Sequence, residues 1–497
     1  MSAGGRYLLT GAAPTPNGRL HLGHVGAQFL KLDVLKRHAR RAGADATLLF
    51  SVDAFDNPIT YAARQAGLRE EEICRVYYDG LERDLEHVAV DYDVFLDTSV
   101  GEGRDLIEKT AMELDAVLAG RKVAVTEKIP YSRRAGSPVT GRFLIGECPA
   151  CGRKMHGYSC DPCGLYLSAD DIRNARAADP ADVLDWREVT NYFIRTSSRE
   201  VREYLAGVVL PDVVRGRVDN IAAALLADEH FLARWTASEP WGIGTGVPGQ
   251  VYFNRMLITL AEQVAFGEIT KEKLGLHQNP FEEGSDVVTV LAYGTDNLGG
   301  FLVENSALAL ATERYRPFDH HLVSEFYTLD GQKQSTSRPH CIWVEDAAAL
   351  DGFSRDGLRA YMASIATPDV EVDVSLSDLA AFMKSLTAQA DRVVATARST
   401  VDRTVDGVVV GRAEEALDSQ AKALELDHID LPKVWQSTER WLDQAVTPGA
   451  GQHTSLACFA VIAAAVVPDV AATVWRSLGH AGEPDRAALR KLVSDGN

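Results

Sequence analysis

The segment from Tyr7 to His24 limits the fold of this chain more than any other. Tyr7–Thr10 is a short apolar run with strand character. Pro14, Pro16 and Gly18 break regular structure after it, and Val25 to Arg40 carries apolar residues at helical spacing. The chain therefore passes from a strand through a tight turn into a helix. His21-Leu-Gly-His24 sits at the helix start, where backbone N–H groups lack intrahelical partners and the helix dipole is positive. Two imidazoles beside these amides, with Gly23 letting the backbone come close, make a cradle suited to a triphosphate. The plainer alternative is a β-turn-α connection whose histidines cap or pack.

The surrounding pattern supports a parallel sheet. Ala46–Val52 and Tyr92–Leu96 read as strands, and Ile59–Ala66, Glu70–Val88 and Arg104–Ala119 as helices. Ligands of such sheets bind beyond the carboxyl ends of the strands, and Asp53 lies at one such end. Asp53 and Asp56 are candidates to divide two roles there, ligand contact and helix N-cap. The expected fold is α/β. A Rossmann-like parallel-sheet catalytic domain (residues 1–119 and 236–353) is interrupted by an insertion (120–235). An all-α helical bundle (354–497) follows, with helices expected at Asp356–Ala366, Ser377–Val405, Gly411–Leu426, Leu431–Ala445 and Thr454–Leu478.

The insertion carries two Cys-x-x-Cys hooks, Cys148/Cys151 and Cys160/Cys163. Four thiolates at this spacing suit a tetrahedral Zn²⁺, and an all-cysteine set leaves no open position, so the expected metal is structural. A redox Cys-x-x-Cys is the rival reading. It is disfavoured by the presence of two hooks without a thioredoxin-like context. Four of the seven cysteines fall in this cluster, which suits a reducing compartment better than disulfides.

Further on, a helix is expected over Val251 to Phe266 and a strand over Val287–Tyr293, which ends in Gly294-Thr-Asp296. A Gly-x-Asp turn at a strand end suits ribose, because the glycine admits the sugar and the carboxylate accepts two hydroxyl hydrogen bonds. An N-cap role for Asp296 is compatible with this. Asp330-Gly331 reads as a hairpin turn, followed by the loop Lys333-Gln-Ser335-Thr-Ser337.

Ala13-Pro-Thr-Pro-Asn17-Gly-Arg-Leu-His21-Leu-Gly-His24 resembles the first signature of class I aminoacyl-tRNA synthetases, in the spelling of the methionyl branch. The Lys333 loop resembles the second signature, with Thr336 in place of its second lysine. The insertion resembles the zinc-bearing insert of that family with a single knuckle. The resemblance implies ATP, Mg²⁺ and structural Zn²⁺ as cofactors. It implies phosphate stabilisation by His21, His24 and Lys333. It assigns ATP contacts to Pro14, Asn17, Gly23, Gly294, Asp296, Ser335 and Ser337. Asp53 would hold the α-amino group of the amino acid. Ala13, Thr15, Met256, Gln263, Asn297 and Phe301 would line the amino-acid pocket, where several depart from the family. Met256 stands in place of a tryptophan, Phe301 of a histidine, and Ala13 and Thr15 of leucine and tyrosine. These changes imply a substrate more polar than methionine or of different shape.

The bundle departs further. The Ala-Pro-Trp that follows one helix in the family is absent, and Trp435 and Trp441 are expected in the core. Net charge is −19 and the bundle shows no Lys/Arg cluster, whereas polyanion-binding domains usually carry one. The reading is therefore an ATP-dependent, AMP-forming amino-acid ligase that passes its acyl group to a small-molecule amine, hydroxyl or hydroxylamine. A natural-product pathway that forms N–N (hydrazine) bonds is one setting, and it would require a separate cupin-type protein as partner. tRNA is not an expected partner. The alternatives are a diverged methionine–tRNA ligase and a non-catalytic synthetase-like binding protein. The longest late apolar run, Ala457 to Val467, is too short to span a bilayer, so no membrane partner and a cytoplasmic location are expected.

Overall fold

The computed structural model describes residues 1, 4–157, 159–160, 165–334, 340–367, 370–401, 403–447 and 451–495. The strand Arg6–Gly11 is buried from Tyr7 onward, as a strand covered on both faces of a parallel sheet must be. It pairs in parallel with Val287–Gly294 on one side and Asp45–Ser51 on the other. The five-stranded sheet runs in the order His320–Ser324, Val287–Gly294, Arg6–Gly11, Asp45–Ser51, Val94–Leu96. The strands that follow Arg6–Gly11 in the chain fill one side of it first and the other side later. The crevice left by this switch opens at the carboxyl end of Arg6–Gly11, beside Gly294. This is the expected Rossmann-like α/β arrangement.

The insertion is antiparallel. Leu184–Ser197 lies between Lys122–Ser132 and His230–Arg234. A second sheet, including Leu144–Glu147 and Lys154–His156, carries Cys148, Cys151 and Cys160 in its turns and strands. Insert and sheet domain meet closely at Gly141. The Arg142 amide donates to Asn57 Oδ1 (2.8 Å), and a Cβ on Gly141 would lie 2.3 Å from that same oxygen. Gly141 also has φ +54°, so glycine is required there twice over.

The C-terminal third is helical: Arg355–Ile365, Leu376–Ser399, Gly407–Ala423, Leu431–Ala445, Gln452–Ala463, Pro468–Ser477 and Arg486–Asp495. Trp435 and Trp441 are buried in its core, as expected. One expectation there is corrected. Thr454–Leu478 is two helices, because Pro468 has no N–H to donate and its ring would clash with a preceding carbonyl in a continuing helix. Beyond Leu478, the helix Arg486–Asp495 buries Leu489 and pairs Arg486 with Glu414 and Asp418. In the sheet domain, the helix expected from Val251 begins at Asn254, and Val251–Tyr252 instead pairs as a strand with Thr236–Ala237. Among the described residues, no helix is long and apolar enough to cross a membrane.

Candidate active site

A cavity of about 310 Å³ opens at the carboxyl ends of the central strands. Its wall includes Ala13, Pro14, Thr15, Asn17, His21, Gly23 and His24 from the first turn. Gly294, Asp296, Asn297 and Phe301 line it from the opposite strand end, with Asp53 and Asp56 below. Two separated stretches of sequence, 13–24 and 294–301, thus converge on one space.

The first turn is pinned from both ends. Arg19 clasps Asp84 with two hydrogen bonds (2.8 and 2.6 Å), and the Leu20 amide donates to the same carboxylate (2.9 Å). Leu22 donates to the Ile342 carbonyl, and Val344 donates to that of Leu20. The segment after residues 335–339 is thereby tied to the histidine turn. The imidazoles of His21 and His24 stack at 3.7 Å, with the His21 amide donating to His24 Nδ1 (3.2 Å). A Cβ on Gly26 would lie 2.3 Å from Tyr327 Cζ, so only a bare backbone lets that ring close the wall. Three π-helical stretches, Val25–Phe29, Leu257–Ala261 and Leu298–Glu304, each supply wall residues. Such wide turns re-aim side chains and recur at functional sites.

Of the two carboxylates, Asp56 takes the N-cap role. Asp56 caps the helix Asn57–Ala66 by accepting from the Asn57 amide (2.8 Å). Asp53 is 5% exposed and accepts from Asn254 Nδ2 at 3.4 Å, while its Oδ1 has no hydrogen-bond partner among the described residues. Burial first, and the Asp56 charge second, hold its carboxyl well above the ordinary range. A buried acceptor without a donor, facing a cavity, suits an incoming ammonium.

Two expected pocket residues lie elsewhere. Met256 is in the apolar core with Leu257 and Leu260. Gln263 donates to the Arg316 carbonyl (2.8 Å) and accepts from Asn305 (2.8 Å), which satisfies its amide inside the fold. The face that reaches the cavity instead presents Asn254, Arg255 and Ile258. Sequence reading missed these, along with Arg142, Glu325, Tyr327 and Gln334. Arg255 left a signal: a lone cation in an otherwise apolar helical run needs a buried counterpart or a ligand. Glu304 is such a counterpart, at 3.7 Å. Lys333 pairs through its backbone with Thr328, and its side chain lies outside the described set. Ser335 and Ser337 fall outside the described residues altogether.

In the insert, one ligand atom from each of Cys148, Cys151 and Cys160 lies within 4.8 Å of the others. Cys151 Sγ and Cys160 Sγ are 3.6 Å apart. Thiolates 2.3 Å from one tetrahedral zinc sit about 3.8 Å apart, so this donor set fits Zn²⁺. Cys163, the expected fourth ligand, lies outside the described residues.

The family model for class I tRNA synthetases (M) matches residues 7–390. The chain belongs to that family. Among curated members, the methionine–tRNA ligase of Pyrococcus horikoshii is 26% identical over 84% of this chain. This chain spans about 60% of that relative's length. The methionine–tRNA ligase of Thermoplasma acidophilum is 26% identical, covering 89% of this chain and 82% of its own. That of Methanopyrus kandleri is 24% identical, covering 96% and 75%. Among solved structures, Mycobacterium tuberculosis methionyl-tRNA synthetase bound by methionyl-adenylate superposes with a TM-score of 0.70 at 14% identity, over 97% of this chain and 96% of that one. This class I synthetase-family chain therefore shares the family fold over nearly its whole length.

Proposed function

We propose that this chain is an ATP-dependent, AMP-forming ligase that activates an amino acid and transfers its acyl group to a small-molecule acceptor. The observation carrying the proposal is the division of the cavity wall. His21, Gly23, His24, Gly294 and Asp296 keep the family's nucleotide residues around one space. The amino-acid end of the same space holds Asn254, Arg255 and Phe301, which leaves less apolar wall for a thioether.

ATP would lie between the His21/His24 turn and the Lys333 loop, with its ribose at Gly294 and Asp296. Mg²⁺ would shield the departing pyrophosphate. Asp53 holds the α-ammonium and so fixes the carboxylate. The carboxylate oxygen attacks the α-phosphorus, the bond to the bridging oxygen of the β-phosphate breaks, and pyrophosphate leaves. Imidazole and backbone donors already aimed at the phosphates stabilise the charge that builds up. The acceptor nucleophile then attacks the acyl carbon and AMP departs. A hydroxylamine acceptor would give an aminoacyl ester, the precursor that a separate cupin-type partner would need for N–N bond formation. The proposal includes the domain division 1–119 with 236–353, 120–235 and 354–497, and Zn²⁺ on Cys148, Cys151, Cys160 and Cys163.

A second reading, transfer of methionine to tRNA, is favoured by the names of the relatives. ATP–pyrophosphate exchange over all amino acids, followed by acylation assays with and without tRNA, separates the two. Exchange without tRNA charging supports the first reading. Methionine-dependent exchange with charging supports the second.

A further inference from the structure

We infer that Arg255 reads a side-chain carboxylate, so that the amino acid activated here belongs to the aspartate/glutamate class. This inference rests on the adenylation reading above and names its substrate.

Arg255 lies in the cavity wall beside Asp53 and Asn254, on the same face as Ile258 and next to Phe301. Its side chain is 18% exposed, so the guanidinium is largely removed from bulk water yet open to the cavity. Its seat is specific. A Cβ on Gly300 would lie 1.6 Å from Nη1 and 2.6 Å from Cζ, so the guanidinium fills the volume that any side chain at position 300 would take. Arg255 and Gly300 are matched in size, because a side chain at position 300 would displace the guanidinium.

The charges point the same way. Asp53, Asp56 and Glu304 surround Arg255, and burial raises the carboxyl of each. Glu304 is brought up to about 7, so it is only partly ionised at neutral pH. Burial, and then the Asp53 charge, raise the Glu262 carboxyl well above its ordinary range as well. With the substrate ammonium balancing Asp53 and Glu304 only partly ionised, the guanidinium keeps charge for a further carboxylate. With the substrate ammonium on Asp53, a short apolar stem along Ile258 and Phe301 ends within reach of Arg255. A methionine thioether there would face a half-desolvated cation that it cannot partner. A carboxylate matches the planar fork of donors and gains charge-assisted hydrogen bonds.

The test is ATP–pyrophosphate exchange with aspartate, glutamate, their amides, methionine, lysine and the remaining amino acids. One acidic amino acid should exceed its own amide by about 100-fold in kcat/KM, as expected where a site built for a polar group meets an analogue lacking it. Arg255→Gln should raise KM for the acid by roughly 30-fold with the KM for ATP unchanged, and Arg255→Lys should recover part of the loss. Gly300→Ala, which displaces the guanidinium without altering its charge, should reproduce the Arg255→Gln phenotype. A preference for methionine or lysine, or an acidic substrate indifferent to Arg255→Gln, overturns this inference and leaves adenylation standing. Absence of exchange with every amino acid, in protein that still binds ATP, overturns adenylation and this inference together.

Discussion

Asp33 and Arg359 form a 2.7 Å ion pair in which neither side chain has any solvent exposure. Asp33 belongs to the helix Leu30–Arg41 that continues from the histidine turn, and Arg359 to the first helix of the C-terminal third. Arg359 also donates to the carbonyls of Val88 (3.0 Å), Ala465 (2.7 Å) and Val466 (2.8 Å). One side chain thus joins the nucleotide-turn helix, the next layer of the sheet domain and the bundle.

Removing one partner of this pair should cost far more than replacing both. Arg359→Ala leaves a buried carboxylate and is expected to destabilise by about 3–5 kcal/mol, whereas Asp33→Leu with Arg359→Met should recover most of that loss. Urea unfolding of the native chain and both variants checks this. Burial raises Asp33, but the charges of Arg359 and Arg37 outweigh it and leave its pKa lowered. Its stabilising contribution is therefore complete above the unfolded carboxylate value and is lost as pH falls through the lower folded value.

Glu304 gives the opposite slope. Burial, against the opposing charges of Arg255 and Arg234, brings it up to about 7. An acid raised on folding favours the native state while protonated, and that advantage is lost as pH climbs from its unfolded value to its folded one. The loss amounts to about 3 kcal/mol between pH ~4.3 and 7. Glu304→Gln should flatten the fall in thermal stability over that window, as measured by Tm at pH 5 and pH 8.

The proposed contact between Asp53 and the α-ammonium predicts a pH effect on binding. With the Asp53 carboxyl held above its ordinary range, first by burial and then by the Asp56 charge, its protonated form cannot pair with the α-ammonium. The KM for the amino acid should therefore rise as pH falls through that raised value, while the KM for ATP stays flat. Asp53→Asn should remove the slope and weaken amino-acid binding at every pH.

The cysteine cluster predicts one tightly held zinc per chain, measured by elemental analysis. Cys148→Ser or Cys163→Ser should release it. Chelation should lower the stability of the insert, because structural zinc contributes folding free energy directly. Exchange activity should fall only as far as Arg142, which the insert supplies to the cavity, is displaced.

The parallel sheet, the histidine turn and the Gly294/Asp296 turn were legible because each is local, with periodicity, breakers and a short spacing falling within a few residues. The Asp56 N-cap was legible for the same reason, since a cap is a one-residue relationship. The amino-acid end was not. Met256 and Gln263 lie in the right helix, but which of its faces meets the cavity depends on the wide turn at Leu257–Ala261 and on Gly300, 45 residues beyond Arg255 in the sequence. No periodicity argument contains that contact. Pro468 was a readable helix breaker, yet the apolar run around it masked the signal. The helix at Arg486–Asp495 is held by Glu414 and Asp418, partners distant in sequence.

The most direct test of the account is amino-acid-dependent exchange of labelled pyrophosphate into ATP, run on the native chain and on His21→Ala. Native protein should catalyse exchange without tRNA, and His21→Ala should lower its rate by about 10²–10³-fold with ATP still bound, as expected when a preorganised donor to developing charge is removed. Native protein that binds ATP but exchanges no pyrophosphate with any amino acid would contradict the account.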